Sequence, residues 1–175
     1  MATAASTLMQ DLLHRSSSEF GLYFLLFPLG LLSGNFVSTR LSGRFANGSM
    51  VFAGSILSLI TAAVQSSFLL MGSLTPLILF IPGFFVSFAQ GIALPFSQAG
   101  AMAVRPQLAG TAAGIGVFVQ NLCGAGFAQL YGILADGTPA PLVITTAISS
   151  LSCLFAGAAA YRMERLPRPS NPPAI

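Results

Sequence analysis

Charge is what this chain has least of. Only 6% of its residues are Asp, Glu, Lys or Arg, against about 25% in an ordinary soluble domain. Lysine is absent, so every basic side chain is an arginine, and tryptophan is absent as well. From Phe45 to Val104, sixty consecutive residues contain no charged side chain. A soluble domain of this size cannot hide such a stretch, whereas a bilayer core of about 30 Å takes roughly 20 apolar residues per helix. The few charges also exclude a clustered basic surface for nucleic acid. The two cysteines, Cys123 and Cys153, both fall inside apolar runs. They read as small packing residues and suggest neither a disulfide framework nor a metal site.

What is present agrees. The chain is 54% hydrophobic, with a mean hydropathy of +0.82. Glycine and proline are plentiful inside the apolar runs, as transmembrane helices tolerate better than soluble ones. The alternation of a membrane barrel is missing, so backbone groups in lipid must be satisfied within helices. The expected architecture is an all-α, polytopic integral membrane bundle. Five complete spans are expected at about 20–38, 49–70, 76–101, 108–134 and 141–161, together forming a bundle over 15–161. Residues 1–14 are too short to cross at 1.5 Å per residue and read as a partial transmembrane helix. They lack the basic start and the cleavage site of a signal peptide. Gly72, Ser73, Thr75 and Pro76 mark one turn, and Asp136, Gly137, Thr138 and Pro139 another. The tail, 162–175, reads as a disordered cytoplasmic end.

The arginines set an orientation. With Arg40 and Arg44 on the cytoplasmic side, strict alternation places Arg105, Arg162, Arg165 and Arg168 there too, and leaves only Arg15 outside. Six of seven basic residues on one side is a positive-inside pattern. One helix more or fewer would spoil it.

Small residues recur four apart: Gly30 with Gly34, Gly54 with Ser58, Gly110 with Gly114. That spacing puts them on one helix face and suits close backbone approach. Pro82 and Pro95 lie in the third run, where proline removes a backbone donor and bends a helix. The bend is either static or part of a rocking motion. Gln90, Ser97 and Gln98 share a face of that run, and Gln120 and Asn121 sit mid-way along the fourth. Amides at membrane depth are expensive unless they meet a partner or line a wet cavity. Two readings therefore stand for these five residues, interhelical hydrogen bonding or the lining of a substrate path. Gln98 lies nearer the membrane surface, as does Asn35. No Asp, Glu, Lys or His sits in the middle of a complete span, so no proton carrier is evident. No phosphate loop, no metal-spaced His or Cys cluster and no nucleophile with a base is present, so enzyme chemistry and bound cofactors are not expected.

The order of these pieces carries a resemblance. The first span closes in Gly34, Arg40, Gly43 and Arg44, which resembles the second, degenerate copy of the Gly/Asp/Arg cytoplasmic loop of the major facilitator superfamily, with Thr39 where the acidic residue would stand. Ala93 to Ala101 and Arg105 to Gly114 are similar to the tenth-to-eleventh helix region of Bcr/CflA-type (bicyclomycin-resistance) multidrug exporters. Asp136 to Pro139 is similar to their last outer loop. The resemblance covers Met1 to about Tyr161 and matches the C-terminal half of a twelve-helix facilitator. It implies a bacterial inner-membrane antiporter that exchanges protons for small, amphipathic, drug-like compounds by alternating access, with the coupling carboxylates in the N-terminal half. On that reading this chain needs the N-terminal half or another membrane chain as partner, and is inactive alone. The alternative is a small polytopic accessory or interaction protein with no transport of its own.

Overall fold

In a computed structural model of the chain, residues 17–71, 76–104, 106–134 and 140–165 are described, and all of their regular structure is helical. Helix α1 spans Ser17–Phe24, α2 Leu26–Leu41, α3 Asn47–Leu70, α4 Pro76–Val104, α5 Ala109–Leu134 and α6 Ala140–Arg165. A short 3-10 turn, Pro106–Leu108, links α4 to α5. Five helical stretches are long and apolar enough to cross a membrane: Gly21–Leu41, Asn47–Leu69, Phe80–Val104, Pro106–Leu134 and Ala140–Arg165. The expected partial helix at 1–14, both expected turns, Arg15, Arg105 and Arg168 lie outside the described residues. The tail begins later than expected, because α6 continues helically through residues 162–165.

The first span is two helices end to end. Leu25 separates α1 from α2 while keeping a right-handed helical backbone. The cause is Pro28, which has no N–H to give the carbonyl four residues back and whose ring crowds that carbonyl, here Phe24. The chain tightens locally: the Leu25 N–H donates to Leu22 O at 3.3 Å, and the regular pattern resumes with Leu29 to Leu25 O at 3.1 Å. Pro82 and Pro95 have a milder effect, since α4 runs through both.

Three tight crossings hold the bundle. Helix α2 lies on α4 through glycines. A Cβ at Gly30 would run into the Phe84 carbonyl oxygen, and one at Gly34 into that of Phe88. On the facing helix, a Cβ at Gly91 would stand 2.9 Å from both Asn35 N and Gly34 Cα. Helix α3 meets α4 where a Cβ on Gly54 would sit 2.9 Å from that of Ala93. Helix α3 also meets α6, where Gly157 leaves room for Ser55. Backbones come close only where no side chain intervenes, the geometry in which small residues let helices pack by van der Waals contact.

The two ends of the bundle differ. At one end Leu69, Phe80, Tyr131 and Leu142 form a buried cluster with Tyr23 and Phe27 against it. Tyr23 stacks on Phe80 at 5.4 Å, and Phe27 meets the same ring edge-on at 5.8 Å. Towards the other end Met50, Ile92 and Phe96 pack with Val37 and Leu41. There the Glu164 carboxylate accepts the Gly48 N–H at 2.8 Å, tying the last turn of α6 to the first turn of α3. Arg40, Arg44, Arg162 and Arg165 all gather at this end. Elsewhere large apolar side chains, among them Leu32, Phe36, Ile60, Phe118 and Phe155, face outward, as suits hydrocarbon surroundings.

Helix α5 stands apart. Tyr131 is its one buried residue. A Cβ added at Gly110, Gly114, Gly116, Gly124, Gly126 or Gly132 would meet nothing within 4 Å. The close approach expected at Gly110 and Gly114 therefore has no counterpart among the described residues, whereas Gly30, Gly34 and Gly54 lie directly at helix crossings.

Candidate functional site

Helix α3 carries α4 on one side and α6 on the other, and a cleft runs between those two neighbours. Its central part is a cavity of about 150 Å³. Ser58, Gln90 and Cys153, which line it, each stand close to the middle of their helices. Thr146, Ser149 and Ser150 complete the polar lining from α6. Helical periodicity explains the grouping: positions 146, 149, 150 and 153 recur at three- and four-residue steps and so share one face.

Most hydroxyls in these helices bond to their own backbone. Thr145 donates to Pro141 O at 2.7 Å, Ser152 to Ile148 O at 2.8 Å and Ser149 to Thr146 O at 3.0 Å. Ser55 donates to Val51 O at 2.9 Å, and its oxygen stands 3.5 Å from Cys153 Sγ. Thr146 and Ser150 differ. Both are buried, at 6% and 4% exposure, and neither side chain makes a hydrogen bond among the described residues. Ser58 and Gln90 make none there either.

Nearer the arginine end the same three helices border a second cavity of about 410 Å³, lined among others by Asn47, Gly48, Phe96, Ser97, Met163 and Glu164. Gln90 and Ser97, both expected from the sequence, thus line one cavity each, two turns apart on α4. Ser97 also donates to Leu94 O at 2.9 Å. Gln98 is half-buried and lines neither cavity. Gln120 and Asn121 are exposed on α5, where the Asn121 amide nitrogen donates to Val117 O of its own helix at 2.9 Å. The structure does not bring these two together with Gln90. Asn35 is half-buried beside the Gly34–Gly91 crossing.

The loop residues take a defined shape. At the end of α2 the Ser42 N–H donates to Ser38 O at 2.9 Å and the Arg44 N–H to Leu41 O at 3.1 Å. Gly43 between them has φ +79°, the left-handed position that commonly ends a helix and that glycine occupies without a Cβ penalty. Arg40 lies over the Phe36 ring at 5.0 Å, and Arg165 over Tyr161 at 4.5 Å.

Sequence reasoning missed Ser58, Thr146, Ser149 and Ser150. Their signal was the hydroxyl run on one face of the last span, which attention to amides alone passes over. Among the described residues no three His, Cys, Asp or Glu side chains gather as metal ligands, and Cys123 and Cys153 are free thiols. Compared with protein-family models, curated proteins and solved structures, the chain matches none.

Proposed function

We propose that this chain forms the C-terminal half of a major-facilitator-type exporter, similar to the Bcr/CflA multidrug antiporters, which moves small amphipathic compounds out of the cell in exchange for protons. The observation that carries this reading is α5. It is a membrane-length helix with unopposed glycines and with Gln120, Asn121 and Gln129 exposed. Hydrocarbon gives an amide no partner, so this helix calls for protein or a wet cavity beside it. A second six-helix half would supply both. Four described arginines gather at one end of the bundle, which supports a cytoplasmic assignment for that end and for the C-terminus, in a bacterial inner membrane. On this reading the proton-carrying carboxylates belong to the other half.

The test is drug accumulation in an efflux-deficient bacterium. Expressing the chain together with a six-helix N-terminal half should lower accumulation of an amphipathic dye, and a protonophore should abolish the effect. The chain alone should leave accumulation unchanged. Failure of the paired halves to export, with both present in the membrane, would overturn the proposal. A second reading, an accessory protein that docks α5 against another membrane chain without transport, draws on the same exposed helix. Stable association with a partner through α5, without any efflux, is its signature.

A further inference from the structure

The mid-depth cavity between α3, α4 and α6 has a chemistry the transport reading does not require. It lies on the α3 side of the bundle, walled by two helices that α3 itself holds apart. Its lining is uncharged: beside the apolar surface of Gly54, Val86, Ala89 and Ala93 stand the hydroxyls of Ser58, Thr146, Ser149 and Ser150, with the Gln90 amide and the Cys153 thiol at the exposed rim. Thr146 and Ser150 are more than nine-tenths buried and make no hydrogen bond among the described residues. Their hydroxyls therefore keep donor and acceptor capacity for a guest in the cavity they line. The cavity is large enough to matter. A volume of about 150 Å³ holds several waters or one small organic molecule.

We propose that this cavity is a binding site for a small, uncharged polyol, reached along the cleft from the arginine end of the bundle. Hydroxyls both donate and accept, so Thr146 and Ser150 on the α6 wall, with Ser58 on the α3 floor, match a ligand whose own groups do the same on adjacent carbons. The Gln90 amide adds donors and an acceptor from the opposite wall. An ion is a poor occupant, because no charged side chain stands in the central cavity to offset its desolvation. The entry path is the wider cavity beside Ser97. Its one charged lining residue, Glu164, is held by the Gly48 N–H, and a neutral ligand can pass it without a charge of its own to desolvate. The site shares Gln90 with the transport reading but does not rest on it, since binding is measured without transport.

Cys153 is a built-in reporter, and Cys123, far away on α5, is easily removed. The experiment uses the full chain in lipid nanodiscs carrying Cys123→Ala, so that Cys153 is the one thiol. The rate of modification by the neutral, water-soluble reagent hydroxyethyl methanethiosulfonate is followed by mass spectrometry, with and without glycerol. A control protein carries Cys123→Ala, Cys153→Ala and Leu151→Cys, which puts the thiol on the exposed flank of the same helix. Cys153 should react at least tenfold faster than the Leu151→Cys thiol, because its surroundings are wet. Saturating glycerol should slow Cys153 at least threefold and leave the control rate unchanged. Thr146→Val with Ser150→Ala should abolish the protection while leaving the helical circular dichroism intact. Cys153 reacting no faster than the control, or glycerol slowing both thiols alike, would overturn the proposal. So would protection that survives the double substitution. None of these results depends on whether the paired halves export a drug.

Discussion

Gly34 and Gly114 belong to the same kind of sequence pattern and should respond to alanine in opposite directions. At Gly34 the new methyl would run into the Phe88 carbonyl oxygen and stand 3.0 Å from Gly91 Cα. Both neighbours are backbone, so no flexible side chain can yield, and α2 and α4 must separate by a few tenths of an ångström or more along their crossing. Forcing an extra methyl into a packed contact costs about 1–3 kcal/mol. Alanine returns roughly 0.5–1 kcal/mol through its better helix propensity, which leaves a net loss of about 1–2 kcal/mol. At Gly114 nothing lies within 4 Å. Only the propensity term acts there, so Gly114→Ala should be neutral or stabilising by up to about 1 kcal/mol. The assay is reversible unfolding in mixed micelles with increasing sodium dodecyl sulfate, followed by circular dichroism. Gly34→Ala should lower the midpoint and Gly114→Ala should hold or raise it. Equal shifts of the same sign at both positions would refute the reasoning, because they would show that local backbone crowding does not set the outcome. The comparison sharpens further if a partner half is present. Gly114→Ala should then weaken association without lowering the stability of the isolated chain.

Three other outcomes follow. Glu164→Ala removes the carboxylate that caps Gly48 and should cost about 1 kcal/mol, as other lost helix caps do; Glu164→Gln keeps an acceptor and should cost less, both read by the same unfolding titration. Gly43→Ala places a side chain at φ +79° and should destabilise the α2 terminus by about 1–2 kcal/mol, seen as faster amide exchange at residues 41–46, with Ser42→Ala as the unstrained control. With a partner half present and efflux established, alanine at Gln90, Gln120 and Asn121 should each reduce export; unchanged export in all three would return those amides to a packing role.

The five long apolar helices were legible because charge is scarce enough to mark their ends: Arg44 and the Asn47 start of α3 lie three residues apart. The last span was the exception, because α6 carries its helix through Arg162 and Arg165 into the expected tail. The interruption at Leu25 was legible in principle. Pro28 stands four residues after Phe24, and the missing hydrogen bond falls where the helix yields. What the sequence could not show was which face of each span packs. In a soluble protein the polar face identifies itself, but these helices are apolar all round, and the periodicity that separates core from solvent has nothing to separate. The spacing of Gly30 and Gly34 is the same as that of Gly110 and Gly114, yet one pair lies against a neighbouring backbone and the other faces open space. The hydroxyl wall of α6 was hidden for a different reason. Serine and threonine in helices usually bond back to their own carbonyls, as Thr145 and Ser152 do, so their presence alone says little. Only the three-dimensional structure shows that Thr146 and Ser150 break that habit.

The exposed α5 and the polar cleft then make separate demands on the surroundings. The cleft closes its own account inside one chain: its walls are α4 and α6, its floor is α3, and a small polar guest would satisfy the remaining hydroxyls. Helix α5 cannot do the same. Its one buried residue, Tyr131, sits in the cluster with Leu69, Phe80 and Leu142, and near its opposite end a Cβ at Gly110 would meet nothing within 4 Å. Swinging α5 inward is no remedy for all three amides, because Gln120 and Gln129, nine residues apart, lie on nearly opposite sides of the helix and cannot be covered together by one neighbour. More than one surface is needed to cover them, and the described residues offer at most one. On the transporter reading the second comes from another protein chain or from water held by one. For that reason α5, rather than the glycine-sealed crossings of α2, α3, α4 and α6, is where a functional assembly with this chain should be sought.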